Sequence, residues 1–124
     1  MPSADMPIFT RTFDLLSWLL PLSNHFPRAQ RFMLTQRLLD AAFDLREHLE
    51  AANAVNGRAR QELLNQADLD LNRLRTYLRL AAGWNWLTGG QYAHAAGMLA
   101  EIGRLLGGWK KVTPTGSSLP QTGS

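Results

Sequence analysis

Apolar residues recur along most of this chain at three- and four-residue steps, the spacing that lines one face of an α-helix. Ile8 opens the first such segment, with Phe9, Phe13, Leu16 and Leu20 as its stripe. Pro21 should kink or end that helix, because proline has no amide proton to donate and its ring clashes with the preceding turn. Phe26-Pro27 restarts the chain, proline being favoured in a first helical turn. A second helix is expected from about Pro27 to about Asn53, striped by Leu34, Leu38, Ala41, Leu45, Leu49 and Ala52. Asn56-Gly57 is a strong turn signal. A third helix is expected from about Arg58 to about Ala82, along Leu64, Ala67, Leu71, Leu74, Leu78 and Ala81, with Gly83 as its C-terminal cap. Thr88-Gly89-Gly90-Gln91 has the form of a capping box, in which Thr88 bonds the amide of Gln91 and Gln91 reaches back. It starts a fourth helix along Ala95, Leu99, Ile102, Leu106 and Trp109.

No stretch alternates like a strand between turn signals. Four amphipathic helices joined by short loops make an all-α, up-down-up-down four-helix bundle the expected fold. Its expected extent is residues 8–112, after a flexible lead-in at 1–7 and before a disordered tail at 113–124 that is rich in Gly, Ser, Pro and Thr. Phe32, Phe43, Tyr77, Leu80, Trp84 and Trp86 fall off the narrow stripes. Some of them should cover the ends of the core. The remainder would form a second apolar face, the usual mark of an oligomer.

Composition adds a basic bias. The formal net charge is +3, and the only lysines are Lys110 and Lys111, so the other 11 of the 13 basic residues are arginine. Arginine forks onto phosphate and carboxylate, which makes nucleic acid or an acidic protein surface the natural partner class. The absence of cysteine excludes disulfides, thiolate catalysis and cysteine-built zinc sites, and fits a cytoplasmic protein. Leu15–Leu22 is too short to span a bilayer and lacks the flanks of a signal peptide, so a buried helix face is expected there. Leu119-Pro120-Gln121-Thr122-Gly123 matches the LPxTG cell-wall sorting signal. That signal needs a hydrophobic segment and a basic tail after it, so coincidence or an added ligation tag is the expectation.

No catalytic or cofactor motif emerges. His25, His48 and His94 are scattered, and the Glu-x-x-His pairs of a di-iron bundle are missing, so no metal is expected. Asp40 and Asp44, with Glu47 and Glu50 beyond, lie near Arg37 and Arg46; Asp68 and Asp70 lie near Arg73. Solvated ion-pair faces account for both groups better than acid–base chemistry does. Gly89-Gly90 and Gly107-Gly108 do not form a phosphate-cradling loop. What remains is a set of cations: Arg75 and Arg79 one turn apart on the third helix, Arg104, Lys110 and Lys111 at the end of the fourth, and Arg28 and Arg31 opening the second. Arg79 has no acid within four residues, and Tyr77 is close by. Unpaired arginines beside aromatics suit phosphate contact combined with stacking.

The run Leu74-Arg75-x-x-Leu78-Arg79-x-x-Ala82-Gly83, then Thr88-x-x-Gln91, then Ala100-Glu101-Ile102-Gly103-Arg104-Leu105-Leu106-Gly107-Gly108-Trp109 resembles the accessory variability determinant (Avd) proteins of diversity-generating retroelements. Pro21-Leu22 and Phe26-Pro27-Arg28 fit that family's first interhelical turn, and the likeness covers about residues 8–112. The resemblance implies a four-helix bundle assembled into a ring-like homopentamer with a basic surface. It implies binding to the retroelement's reverse transcriptase and template-region RNA in support of mutagenic cDNA synthesis, with no catalysis of its own. By position, Arg75 and Arg79 match the family's basic helix-three pair, Arg104 matches its Gly-Arg-x-Leu-Gly arginine, and Lys110 and Lys111 fall in its basic tail. The four-helix proteins encoded by intervening sequences in ribosomal RNA genes are similar at Phe26-Pro27 and, with imperfect spacing, at Leu34-Thr35-Gln36-Arg37. They imply an alternative, a scaffold that binds protein only. Their Asn-Ile-Ala-Glu-Gly ending of helix two is replaced here by Leu49-Glu50-Ala51-Ala52-Asn53, which favours the accessory protein.

Overall fold

The computed structural model describes residues 6–114. The first five residues and the tail with the Leu119–Gly123 motif lie outside that span. Within it the chain forms four helices, α1 (Pro7–Ser23), α2 (Gln36–Asn53), α3 (Gly57–Gly83) and α4 (Gly89–Val112), and no strand among the described residues. A 3-10 turn at Arg28–Gln30 and a π turn at Arg31–Thr35 lead into α2, where the sequence predicts plain helix from Pro27. Helix α2 packs on α1 and α3, and α4 packs on α3 and α1, which closes the four into a bundle.

The stripes of α2, α3 and α4 are buried at every position the spacing picks out, from Leu34 to Ala52, Leu64 to Ala81 and Ala95 to Trp109. Helix α1 is rotated from its expected stripe, which is only partly buried: Phe9 lies in the core and Leu16 packs partly against it. Its buried residues are Ile8, Phe9, Thr12, Leu15, Leu19 and Ser23. Phe13 is 62% exposed, and Leu20 also faces out. The reason lies in two hydroxyls. Thr12 Oγ1 donates to the Ile8 carbonyl at 2.9 Å, and Ser23 Oγ donates to the Leu20 carbonyl at 2.8 Å. Bonded back to their own helix, these side chains present mostly carbon to the core. The exposed charges Arg11 and Asp14 mark the outer side of α1, whereas the polarity of Thr12 and Ser23 points the wrong way. Pro21 sits inside α1, which ends two residues later at Ser23. In the last turn its missing donor costs a single bond, so the helix continues through it to Ser23.

The start of α4 and both ends of α3 have identifiable physical causes. Thr88 Oγ1 accepts from the Gln91 amide at 3.0 Å, and Gln91 Oε1 accepts from the Thr88 amide at 2.9 Å, completing the expected capping box. Gly57 opens α3 at φ +63°, a left-handed conformation that glycine adopts without strain. The end of α3 differs from expectation. Gly83 is the last helical residue, and the left-handed position falls to Asn85 at φ 64°. The Trp86 amide donates to the Ala81 carbonyl at 2.9 Å and the Asn85 amide to the Ala82 carbonyl at 3.0 Å, the two bonds of a Schellman motif. Asparagine is the residue after glycine that best tolerates this geometry.

Aromatics seal both ends of the core. Phe26 and Trp86 meet at 5.5 Å near the α1–α2 and α3–α4 turns, and Phe9 and Trp109 meet edge-on at 6.1 Å at the other end. Phe32, Phe43, Leu80 and Trp84 stay exposed, whereas Tyr77 and Trp86 pack partly against the core. Thr113, which the sequence places in the tail, is buried and donates to the Trp109 carbonyl at 2.7 Å, closing α4.

The rotation of α1 is open to direct test by urea unfolding. Leu15→Ala should lower stability by about 2–5 kcal/mol, as for a leucine cut from a packed core. Phe13→Ala should change it by about 0.5 kcal/mol or less. The reverse order would restore the stripe expected from spacing alone.

Candidate functional site

The seven cations picked out from the sequence separate into two groups on the folded molecule. Arg75 and Arg79 lie on α3 and line a single cleft against α4, with Leu78, Tyr92, Ala96, Leu99 and Ala100 as its other walls. Its volume is about 140 Å³. Arg28 and Arg31 are exposed at the same end of the bundle, on the turn whose Pro27 and Gln30 face Trp84 and Trp86. Arg104, Lys110 and Lys111 lie further along α4, toward its C-terminus.

The second group is mostly committed to partners. Arg104 clamps Glu101 with two bonds, of 2.9 and 2.7 Å. The hydrogen bonds from Arg104 hold the Glu101 carboxyl below its ordinary value, so the pair is intact at neutral pH and is lost as pH falls through that lowered value. Lys110 reaches across to Asp68 on α3 at 2.9 Å. Lys111 is exposed in the last turn of α4, where its charge complements the carbonyl end of the helix dipole.

The cleft is different. None of its lining residues is acidic. Arg75 Nη1 donates to Asn72 Oδ1 at 3.0 Å, a neutral acceptor that leaves the positive charge uncompensated. The Arg75 guanidinium lies across α4 at Gly103, where a β-carbon would come within 2.8 Å of Arg75 Nη2 and 3.4 Å of Leu71 Cδ2. Bare backbone at Gly103 is therefore what allows the charge to rest on the neighbouring helix. Arg79 makes no hydrogen bond or ion pair among the described residues. Tyr92 stands in the opening turns of α4, so the positive end of that helix dipole adds to the field of the two guanidiniums. Apolar carbon from Leu78, Ala96, Leu99 and Ala100 completes the walls. Tyr92 was missed from sequence because its partners sit on the preceding helix, and only the Tyr92-Ala96-Ala100 spacing beside the α4 stripe hints at it.

Other arginines of the chain serve the fold. Arg46 donates to the Phe9 carbonyl at 2.9 Å and to Glu50 at 2.7 Å. Arg60 donates to the Ala52 and Val55 carbonyls, both at 2.9 Å, at the C-terminus of α2, with its guanidinium 5.6 Å from the Trp109 ring centre. The expectation of a solvated face for Asp70 is corrected. That residue is 3% exposed between α2 and α3, where it meets His48 Nδ1 at 2.5 Å and Arg73 Nη1 at 3.0 Å. No third group is hydrogen-bonded to His48 among the described residues, so the pair ties two helices together and lacks the nucleophile of a catalytic triad. No group of three or more His, Cys, Asp or Glu residues that could hold a metal occurs among the described residues. No described helix is long and apolar enough to cross a membrane.

Two stability measurements separate these roles. Asp70→Ala should lower the unfolding free energy by about 1–3 kcal/mol, since it strips His48 and Arg73 of their shared acceptor while leaving both partly solvated. Gly103→Ala should hold or raise it by up to about 1 kcal/mol, from helix propensity, because the displaced group is the flexible tip of Arg75. A loss on Gly103→Ala would mean that Arg75 is pinned where it lies.

The protein-family model described as bAvd-like matches residues 6–113, a span that includes all four helices. No curated protein matches the sequence. By that match the chain belongs to the bAvd-like family, the bacterial accessory variability determinants.

Proposed function

We propose that this protein is a non-catalytic accessory factor of a diversity-generating retroelement. In this reading it acts in the cytoplasm as a homo-oligomer, most simply a ring-like homopentamer. It binds the element's reverse transcriptase and template-region RNA and supports mutagenic cDNA synthesis. The observation that carries the RNA half is the α3–α4 cleft, which has two uncompensated guanidiniums, an aromatic ring and no acidic lining residue. Such a surface gains most from a phosphate backbone. Arg28 and Arg31 add charge on the α1–α2 turn, where Arg31 lines a separate pocket with Phe32, Asp40 and Phe43, and Lys111 adds charge further along α4. Arg104 and Lys110 play a lesser part while they remain paired with Glu101 and Asp68.

Self-association is supported by a different surface. Phe32 is 78% and Met33 69% exposed on the π turn ahead of α2, and Phe43 is exposed two turns into that helix. Large apolar side chains left in water at this density mark a contact face. The same surface would also serve a scaffold that binds protein only, so RNA binding is the property that separates the two readings.

The test is binding of the full chain to a structured RNA across a salt series, with the Arg75→Glu, Arg79→Glu double variant alongside. Wild-type affinity should fall steeply with salt. The double variant should bind about 100-fold or more weakly, from two lost charge-assisted hydrogen bonds. Its log–log salt slope should shrink by roughly 1.4–1.8, for two phosphate contacts. Wild-type protein that binds the reverse transcriptase but no RNA at low salt would replace this reading with the protein-only scaffold.

A further inference from the structure

The cleft between α3 and α4 has a size and chemistry more specific than a basic patch. An enclosed apolar cavity of about 150 Å³ accommodates one benzene ring. At about 140 Å³ this cleft is likewise matched to one planar ring, well short of the roughly 300–1,000 Å³ of a typical small-molecule pocket. Its walls are the Tyr92 ring and the carbon of Leu78, Ala96, Leu99 and Ala100, with Arg75 and Arg79 on the α3 side. Apolar carbon and an aromatic ring suit the faces of a flat ring, and guanidiniums suit the anion attached to it.

We propose that this cleft holds one unpaired nucleotide of an RNA strand, its base against Tyr92 and the apolar wall, its phosphate on Arg79, and the neighbouring phosphate on Arg75. The assignment rests on the RNA-binding reading above and deepens it. Arg75 is oriented by its bond to Asn72 and lies over the bare backbone of Gly103, whereas Arg79 has no partner among the described residues and is available to the ligand. A base inside a duplex has both faces stacked and cannot enter, so the cleft selects single strands. No side-chain carboxylate or amide lines it to read the base edge. With both guanidiniums on phosphates, selection is by strandedness and tolerant of sequence, as expected where bases are held by stacking.

The experiment measures fluorescence anisotropy of a labelled 12-nucleotide single-stranded RNA and of the same sequence as a perfect duplex, with the full chain and three variants. Tyr92→Ala should weaken single-strand binding by about 5- to 150-fold, the range for one lost stacking contact. It should leave duplex binding within about twofold. Tyr92→Phe should retain wild-type affinity for both. Ala96→Leu fills the cleft with a strong helix former and changes no charge, and it should reproduce the Tyr92→Ala loss. Helix content and thermal midpoint establish that each variant is folded.

Equal losses on both probes, or no loss on either, would overturn the nucleotide assignment. If Arg75→Glu, Arg79→Glu still abolishes salt-steep binding in that case, the basic-surface reading stands and only the pocket is wrong. If that double variant binds RNA as wild type does, both fall. If Tyr92→Ala leaves RNA binding intact and abolishes reverse transcriptase binding, the ring in the cleft is an aromatic side chain of the enzyme, and the assignment to RNA is wrong.

Discussion

The antiparallel register of α2 against α3 governs most of what this molecule can do. On α2 the buried stripe runs Leu38, Ala41, Leu45, Leu49, Ala52, and on α3 it runs Leu64, Ala67, Leu71, Leu74, Leu78. Leucine dominates both stripes, with alanine at Ala41, Ala52 and Ala67, and this uneven profile favours one setting of each helix on the other. That setting brings Asp70 to His48, Arg73 to Asp44 at 3.4 Å and Arg60 to the last carbonyls of α2. Magnitudes give the order of cause. Each buried leucine is worth about 2–5 kcal/mol against alanine, while partly exposed ion pairs contribute about 0–1 kcal/mol each. Packing therefore sets the register, and the polar ties sharpen it. The setting of α4 on α3 then builds the cleft.

Once the register is fixed, the arginines sort themselves by what they meet. Arg46, Arg60 and Arg73 fall against carbonyls or carboxylates of a neighbouring helix and become part of the frame. Arg75 and Arg79 fall on a stretch of α4 that offers alanine, glycine and tyrosine. A local reading of charge recovers only part of this. It separates Arg79, which has no acid within a turn, and could have flagged Arg104, whose partner Glu101 is three residues back. It cannot see that Lys110 is paired with Asp68, 42 residues away, because interhelical pairs belong to the packing and leave no mark at short range.

The same boundary between local and non-local information runs through the fold. The buried stripes of α2, α3 and α4 were legible because each helix has a polar face that fixes the phase of its apolar one, although the irregular turns ahead of α2 were not. Helix α1 was not, since Ile8, Phe9, Phe13, Leu15, Leu16, Trp18, Leu19 and Leu20 surround it with hydrocarbon. The hydroxyls of Thr12 and Ser23 then donate to carbonyls of their own helix, and Thr12 also accepts from Arg46 on α2. The capping box at Thr88 was legible because it is a four-residue reciprocal pattern, whereas the Schellman ending of α3 was displaced from Gly83 to Asn85. Either residue tolerates a positive φ, and the length of the final turn chose between them. Asp70 resembled a surface acid in sequence because its partner His48 comes from another helix. For the candidate site, the basic half was legible and the aromatic half was not.

The cleft keeps binding and stability separate. Leu78 and Leu99 form part of its wall and are also core side chains, so their positions are fixed by packing that no ligand has to supply. Arg75, Arg79, Ala96 and Ala100 lie on the exposed side of the same seam and contribute little to the core. Two like charges a turn apart on an exposed helix face cost only about 0.2–0.5 kcal/mol. The unliganded cost of holding them together is therefore small. A phosphate arriving between them meets a field already assembled, with the apolar wall in place and the Arg75 side chain laid across Gly103. The expense of organising the site is borne by the fold through the α3–α4 contact, and substitutions on the exposed side can change what is bound without changing the bundle that presents it.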